Sequence, residues 1–272
     1  MQDEDGLFRI TRDGKTGYID RAGEIVIEPQ PWVGHDFCEG VAAVDVPSAG
    51  RGFIDRTGAF VIDPRERQAG AFSEGLAWIR LGWFGYMDRS GSTVIEPTFE
   101  EAGDFRQGLA RVARGGCYGI IDRAGAMIVD PRFIWVSDFS EGLACAQVGF
   151  HDAVRGFIDT AGELVIEPRY SWVDGFSEGL AAVCWSERFG YIDRTGTFVI
   201  EPVYQGAGAF SDGLAAVRVG LQHGYVDRNG AMVIPPRFDR AEAFRSGLAR
   251  VRIQHKEGYV DHTGEYVWEP TS

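Results

Sequence analysis

The sequence predicts an all-β tandem repeat of eight modules of about 34 residues, each contributing three short strands, and three observations predict it. A Gly-aromatic-Ile-Asp unit, with small variations, recurs eight times, from Gly17-Tyr18-Ile19-Asp20 through Gly190-Tyr191-Ile192-Asp193 to Gly258-Tyr259-Val260-Asp261. Always 12 residues after its first Gly stands a proline that closes an apolar run, as in Ile25-Val26-Ile27-Glu28-Pro29. Eight residues past that proline comes a phenylalanine (Phe37, Phe72, Phe105, Phe139, Phe176, Phe210, Phe244), and three residues later the glycine of a Gly-Leu-Ala-like run. These fixed steps divide the chain into one repeat domain, 1–272, with modules at about 1–29, 30–64, 65–97, 98–131, 132–168, 169–202, 203–236 and 237–272.

Each element follows from its residues. The Gly-Leu-Ala strand, as in Leu214-Ala215-Ala216-Val217, carries small and branched residues in both alternation classes. The Gly-aromatic strand follows, and a β-branched closing strand such as Phe198-Val199-Ile200 ends at proline, which has no N–H for a further ladder bond. Between these two lies a four-residue turn such as Asp193-Arg194-Thr195-Gly196. Asp at its first position can bond the backbone two residues on, and Gly at its fourth takes positive φ without steric cost. Ordered turns of this kind explain 37 Gly against 11 Pro in a chain that is 44% hydrophobic, a composition that excludes collagen and flexible linkers.

Phe198 and Ile200 are expected to point one way and Val199 the other, so both faces of the sheet are apolar. A sheet buried on both faces lies between two others, which predicts small sheets stacked face to face, about 10 Å apart. The aromatic two residues after the proline (Phe99, Phe133, Tyr170, Tyr204, Phe238) is expected to cover a sheet edge. The terminal modules are as apolar as the interior ones. This favours a propeller-like closed ring over the alternative, an open β-solenoid superhelix.

The pattern aromatic-Asp-x-Ala, Phe-Ser-Glu-Gly-Leu-Ala-x-Val, Gly-Tyr-Ile-Asp, Gly-x-x-Val-Ile-x-Pro resembles the bacterial WG-containing repeat, over Gly6 to Pro270. The place of the family's tryptophan holds Thr16, Arg51, Phe84, Tyr118, Arg155, Phe189, His223 and Glu257, so no tryptophan ladder is carried over. The resemblance implies a β-rich repeat scaffold, often appended to other domains, and no catalytic residue.

Chemistry is sparse. Five histidines show no HExxH spacing, and neither a GxSxG elbow nor a Walker-type loop occurs, so no enzyme, cofactor or metal site is expected. Cys38, Cys117, Cys145 and Cys184 hold non-equivalent places and read as reduced thiols. The turn aspartates share one offset in every module, which fits turn capping better than a calcium ladder. A net charge of −13 argues against nucleic acid and leaves a basic protein partner open. An acidic start and the lack of a long apolar stretch predict no membrane crossing and a cytoplasmic location.

Length variation falls in one loop per module, between the Gly-Leu-Ala glycine and the Gly-aromatic glycine, where the step runs 11, 12, 10, 11, 14, 11, 11 and 11 residues. Variation held to one loop of a constant frame marks a binding edge. These loops carry Lys15, Trp83, Phe84, Phe150, His151, Trp185, Arg188 and Lys256, the candidate partner-binding residues. The leading expectation is therefore a non-enzymatic protein-interaction scaffold. The alternatives are an acidic immunity-type protein neutralising a basic toxin or nuclease, and a binder of glycans or small ligands through aromatic platforms.

Overall fold

The computed structural model describes residues 7–20, 24–65, 68–149, 154–245, 247–254 and 256–271. It is all-β, with eight small antiparallel sheets, the blades of an eight-bladed β-propeller fold. In every sheet the three expected strands lie side by side in chain order. Among the described residues seven sheets add a fourth strand in front, so the three-stranded expectation holds there only for the first sheet, Phe8–Arg12, Lys15–Ile19 and Ile25–Gln30. In the sixth blade the strands are Trp172–Val173, Ala181–Trp185, Arg188–Ile192 and Phe198–Tyr204. The added leading strand is two residues long in six blades and extends over Val33–Cys38 in the second.

The chain forms two compact units, Met1–Arg132 and Phe133–Ser272. Within each, the core lies between successive sheets. In the second unit Ala181, Val183 and Ile192 pack with Phe157 and Ile166 of the fifth blade, while Ala182 and Tyr191 pack with Phe210 and Val217 of the seventh. Adjacent residues of one strand thus enter different cores, as a sheet buried on both faces requires. In the first unit Tyr86 and Phe105 join the third and fourth blades in the same manner.

Two expectations for the closing strand are corrected. Ile192 pairs with Phe198 but Tyr191 with Ile200, so Val199 is an extra, bulged residue; Phe198 and Ile200 face different cores, and Val199 stays 45% exposed. A second irregularity lies opposite Gly190, where a Cβ would stand 2.5 Å from the Ile200 carbonyl oxygen and 2.8 Å from the Pro202 nitrogen. The closing strand folds over a residue that has no side chain, which explains the invariant step from glycine to proline. The strand then continues past the proline, so Tyr170 and Tyr204 end it as core residues rather than covering an edge.

The fixed phenylalanine is the contact between blades. Phe210 packs at a ring-centroid distance of 4.8 Å from Tyr191 of the preceding blade, and Phe105 at 4.7 Å from Tyr86. Each such pair contributes about 0.5–1.5 kcal/mol beyond its buried area. The tyrosine hydroxyl then donates to the carbonyl two residues before that phenylalanine: Tyr191 to Gly208 at 2.8 Å, Tyr86 to Gly103 at 2.7 Å, Tyr225 to Glu242 at 2.8 Å. Burial holds the Tyr191 and Tyr225 hydroxyls protonated far above the ordinary tyrosine range.

Strand order separates two ends of each sheet. At one end lie both constant turns, the Glu-Gly turn and the Asp-x-x-Gly turn; at the other lie the variable hairpins and the links to the next blade. The constant turns do structural work. Asp193 Oδ1 accepts from the N–H groups of Thr195 and Thr197, and Gly196 has φ +83°, as turn chemistry predicts. Glu178 and Gly179, at φ 54° and 79°, are the centre of a two-residue turn closed by mutual Ser177 and Leu180 bonds. Their side chains reach onward: Ser177 Oγ donates to the Phe210 carbonyl at 2.7 Å, and the Glu178 carboxylate accepts from Gly213 N–H at 3.1 Å.

Candidate functional site

Among the described residues the variable hairpins of the first, second, third, fourth, sixth and seventh blades are short, tight and set by their turn residues. Asp13-Gly14 and Gly115-Gly116 supply positive φ at both central positions, the type I′ geometry that suits strand twist. Gly220 precedes Leu221 in a two-residue turn between Val219 and Gln222. Pro47-Ser48 forms a turn closed by Ala49 N–H to the Val46 carbonyl at 3.1 Å, with Ser48 at φ 63°. In the sixth blade the turn is Ser186-Glu187, at φ 48° and 64°, and neither residue is glycine. Two successive side chains in the left-handed region store strain, a recurrent mark of a working surface.

The tips expose apolar side chains. Leu221 is 90% exposed, Leu81 56%, Trp83 52% and Trp185 42%. Leu81 pairs with Trp83 across Gly82, and Trp185 with Arg188 across the strained turn, so the structure brings each of these pairs together at one tip. Trp185 also rests edge-on against buried Tyr170, at 6.0 Å between ring centroids, which fixes its ring while leaving one side open. Arg188, Lys15 and Lys256 are exposed on their tips. Phe84 is half-buried against Trp78, with Arg80 over its ring at 5.4 Å. Phe150 and His151 lie outside the described residues. Leu81, Val219 and Leu221 escaped the sequence reading; the signal that finds them is an apolar residue beside a turn glycine.

A second feature belongs to the second blade, where the long leading strand carries His35. Arg51 donates to both Asp45 oxygens at 2.7 Å and reaches the Ala69 carbonyl, while His35 Nε2 lies 3.0 Å from Asp45 Oδ2 and 3.1 Å from Arg51. The Arg51 guanidinium, with help from His35, holds the Asp45 carboxyl down to about 2. Beside them a small recess is lined by Val41, Ala43, Phe53 and Phe72, with the Cys38 thiol donating to the Phe72 carbonyl at 3.1 Å. That thiol occupies the place that serine holds in the ladder of other blades, and the arginine is already engaged by Asp45 of its own sheet and by the Ala69 carbonyl of the third blade.

Among the described residues no group of three or more His, Cys, Asp or Glu is placed to hold a metal ion, and no helix is long and apolar enough to cross a membrane. Cys145 is buried, and burial pushes its thiol up to about 12, which leaves it unreactive at neutral pH.

The family model described as WG containing repeat matches residues 17–30, 52–82, 84–116, 118–149, 156–184, 189–220 and 224–255. No curated protein matches the sequence. Among solved structures, a eukaryotic initiation factor is similar at TM-score 0.65 and 12% identity, over 98% of this chain and 85% of that one. BamB from Moraxella catarrhalis is similar at TM-score 0.52 and 12% identity, over 97% and 96%. The dihydro-heme d1 dehydrogenase NirN is similar at TM-score 0.55 and 12% identity, over 98% and 74%. At such identities the likeness is one of fold alone.

Proposed function

We propose, for a chain that belongs to the WG-containing repeat family, that it is a protein-interaction scaffold whose variable hairpin tips hold the partner. One observation carries the reading. The loop whose length varies in the sequence lies, among the described residues, at the end away from the turns that lock blade to blade, and there it exposes Leu81, Trp83, Trp185 and Leu221. Aromatic and aliphatic side chains held on tight turns lose little entropy on association and make efficient anchors. Sequence drift at these tips leaves the cores untouched, so recognition is free to diversify on a fixed frame.

The test is affinity capture with the full chain and with a Trp83→Ser, Trp185→Ser, Leu221→Ser variant. Loss of the captured partner with a melting temperature changed by no more than about 2 °C supports the reading. Capture that survives all three changes, or a variant that no longer folds cooperatively, counts against it.

A second reading has its own support. Glu39, Glu74, Asp193 and Asp227 typify the constant turns, where acidic side chains recur in every blade, so a basic protein could be drawn to that end. Each of these carboxylates already accepts backbone N–H bonds within the frame, which favours a structural role. The glycan reading gains nothing: Trp83 follows its turn and Trp185 precedes its own, so the two rings do not occupy equivalent places.

A further inference from the structure

The net charge of −13 does not describe the tips. In the sixth, seventh and eighth blades the hairpins present Arg188, Arg218 and Lys256, all exposed, and among the described residues none of the three pairs with a carboxylate. Arg218 is steadied by donating to the Gln205 carbonyl at 2.9 Å, a neutral partner that leaves its charge uncompensated. Among the described residues three acids lie near these tips, and one of them, Glu257, follows Lys256 in the eighth hairpin. Glu187 shares the strained turn with Ser186, and Asp239 is engaged by Gln254 N–H at 2.7 Å. Acidic side chains of the same blades, including Glu178, Asp193, Asp212 and Asp227, lie at the opposite end of their sheets. Between the cations stand the exposed apolar groups Trp185, Val219 and Leu221.

Resting on the reading that the tips are the interface, we propose that the tips of blades six to eight bind a protein segment that combines acidic with apolar side chains. Leu221 and Trp185 are the apolar anchors, and Arg188, Arg218 and Lys256 take the carboxylates. Like charges facing one another across an interface cost several kcal/mol, so this end repels the basic partner that the overall charge invites. Stacked sheets lie about 10 Å apart, so three neighbouring tips span about 20 Å, the length of some six residues of extended chain. The occupant is therefore a short extended stretch, with acidic residues on both sides of a central apolar one.

The probe is a fluorescein-labelled peptide of alternating Glu and Leu, about seven residues long to match that span. Its comparators are a Lys-Leu peptide, a Glu-Ser peptide and a single-stranded oligothymidine, all titrated with the full-length chain by fluorescence anisotropy. The expected result is that Glu-Leu binds about tenfold or more tightly than each comparator and weakens as salt is raised. R188E/R218E/K256E is expected to reverse the preference toward Lys-Leu, and L221S to weaken Glu-Leu about tenfold. Lys-Leu or oligothymidine binding as tightly as Glu-Leu overturns the proposal, as does a charge-reversed chain that holds Glu-Leu unchanged or no binding of Glu-Leu at all. Wild-type self-association in sedimentation that the charge reversal dissolves assigns the tips to a second copy of the chain, and also overturns it. Captured partner lost with L221S but retained with R188E/R218E/K256E sinks the acidic segment and spares the tip interface; capture unaffected by either variant removes both.

Discussion

The Glu39 carboxylate accepts the Gly75 N–H of the next blade at 2.9 Å and an Arg89 guanidinium N–H at 2.7 Å. Glu39 has φ 54°, a backbone conformation that glycine or asparagine adopts more easily in a turn of this kind. The sequence keeps a strained glutamate because its carboxylate is the tie to the following turn, a relationship repeated by Glu74 with Gly108 and by Asp212 with Gly247.

Removing that tie is expected to cost about 1.5–3 kcal/mol, the range for a hydrogen bond to a charged group, so Glu39→Ala lowers the urea midpoint despite its smaller side chain. The effect carries a pH signature. Burial raises the Glu39 pKa, but the Arg89 and backbone bonds outweigh it and the folded value lies below the ordinary one. The stabilisation is therefore present above the unfolded pKa near 4.3 and is lost as pH falls through the folded value. Urea midpoints for wild type and Glu39→Ala converging as pH falls below about 4 check this sign, and a constant gap between them sinks it.

Gly190→Ala is expected to be among the most damaging single changes in the chain, by about 3 kcal/mol or more, because its Cβ meets backbone rather than a side chain that can move aside. Gly149→Ala is the control: it has open space around it and no positive φ, and its melting temperature is expected to stay close to wild type.

These two positions show why part of the fold was legible and part was not. The step from glycine to proline was visible in every module, but that the proline-bearing strand arches over the glycine is a three-dimensional fact with no signature in either residue alone. Alternation assigned Val199 to a core face, and the bulge beside it broke the alternation. The leading strand Trp172–Val173 is two residues long, too short for any period to register, so a four-stranded blade read as three. Tyr204 looked like an edge cover because the proline seemed to end its strand. At the tips, Trp83 and Trp185 stood out by residue type, whereas Leu221 became visible only as the side chain its two-residue turn leaves in solvent.

Tyr191→Phe is expected to cost about 1 kcal/mol, since it removes the bond to the Gly208 carbonyl and leaves the ring packing intact. The chain contains the comparison already: Phe53 and Phe157 hold the same place in blades two and five, paired with Phe72 and Phe176 at 5.0 and 4.8 Å. The reverse change, Phe157→Tyr, should recover less than Tyr191→Phe loses, because the backbone there has settled without that bond. Chemical denaturation of the two variants side by side measures the asymmetry, and equal and opposite shifts would refute it.

The Ser186-Glu187 turn offers the sharpest separation of stability from function. Both residues have positive φ, and replacing them by Asn and Gly supplies the pair that a type I′ turn prefers. Relief of that strain is expected to raise stability by about 1 kcal/mol, equivalent to a few degrees in melting temperature for a chain of this size. Trp185 and Arg188 remain paired across the turn in the variant, so the tip keeps its shape and loses only the Glu187 carboxylate. If these tips take an acidic segment, removing that carboxylate strengthens binding of the Glu-Leu peptide at low salt, and the gain shrinks as salt is raised. A variant that is more stable and binds the peptide more weakly would mean that Glu187 itself is a contact, and that the sign of the interface has been read backwards.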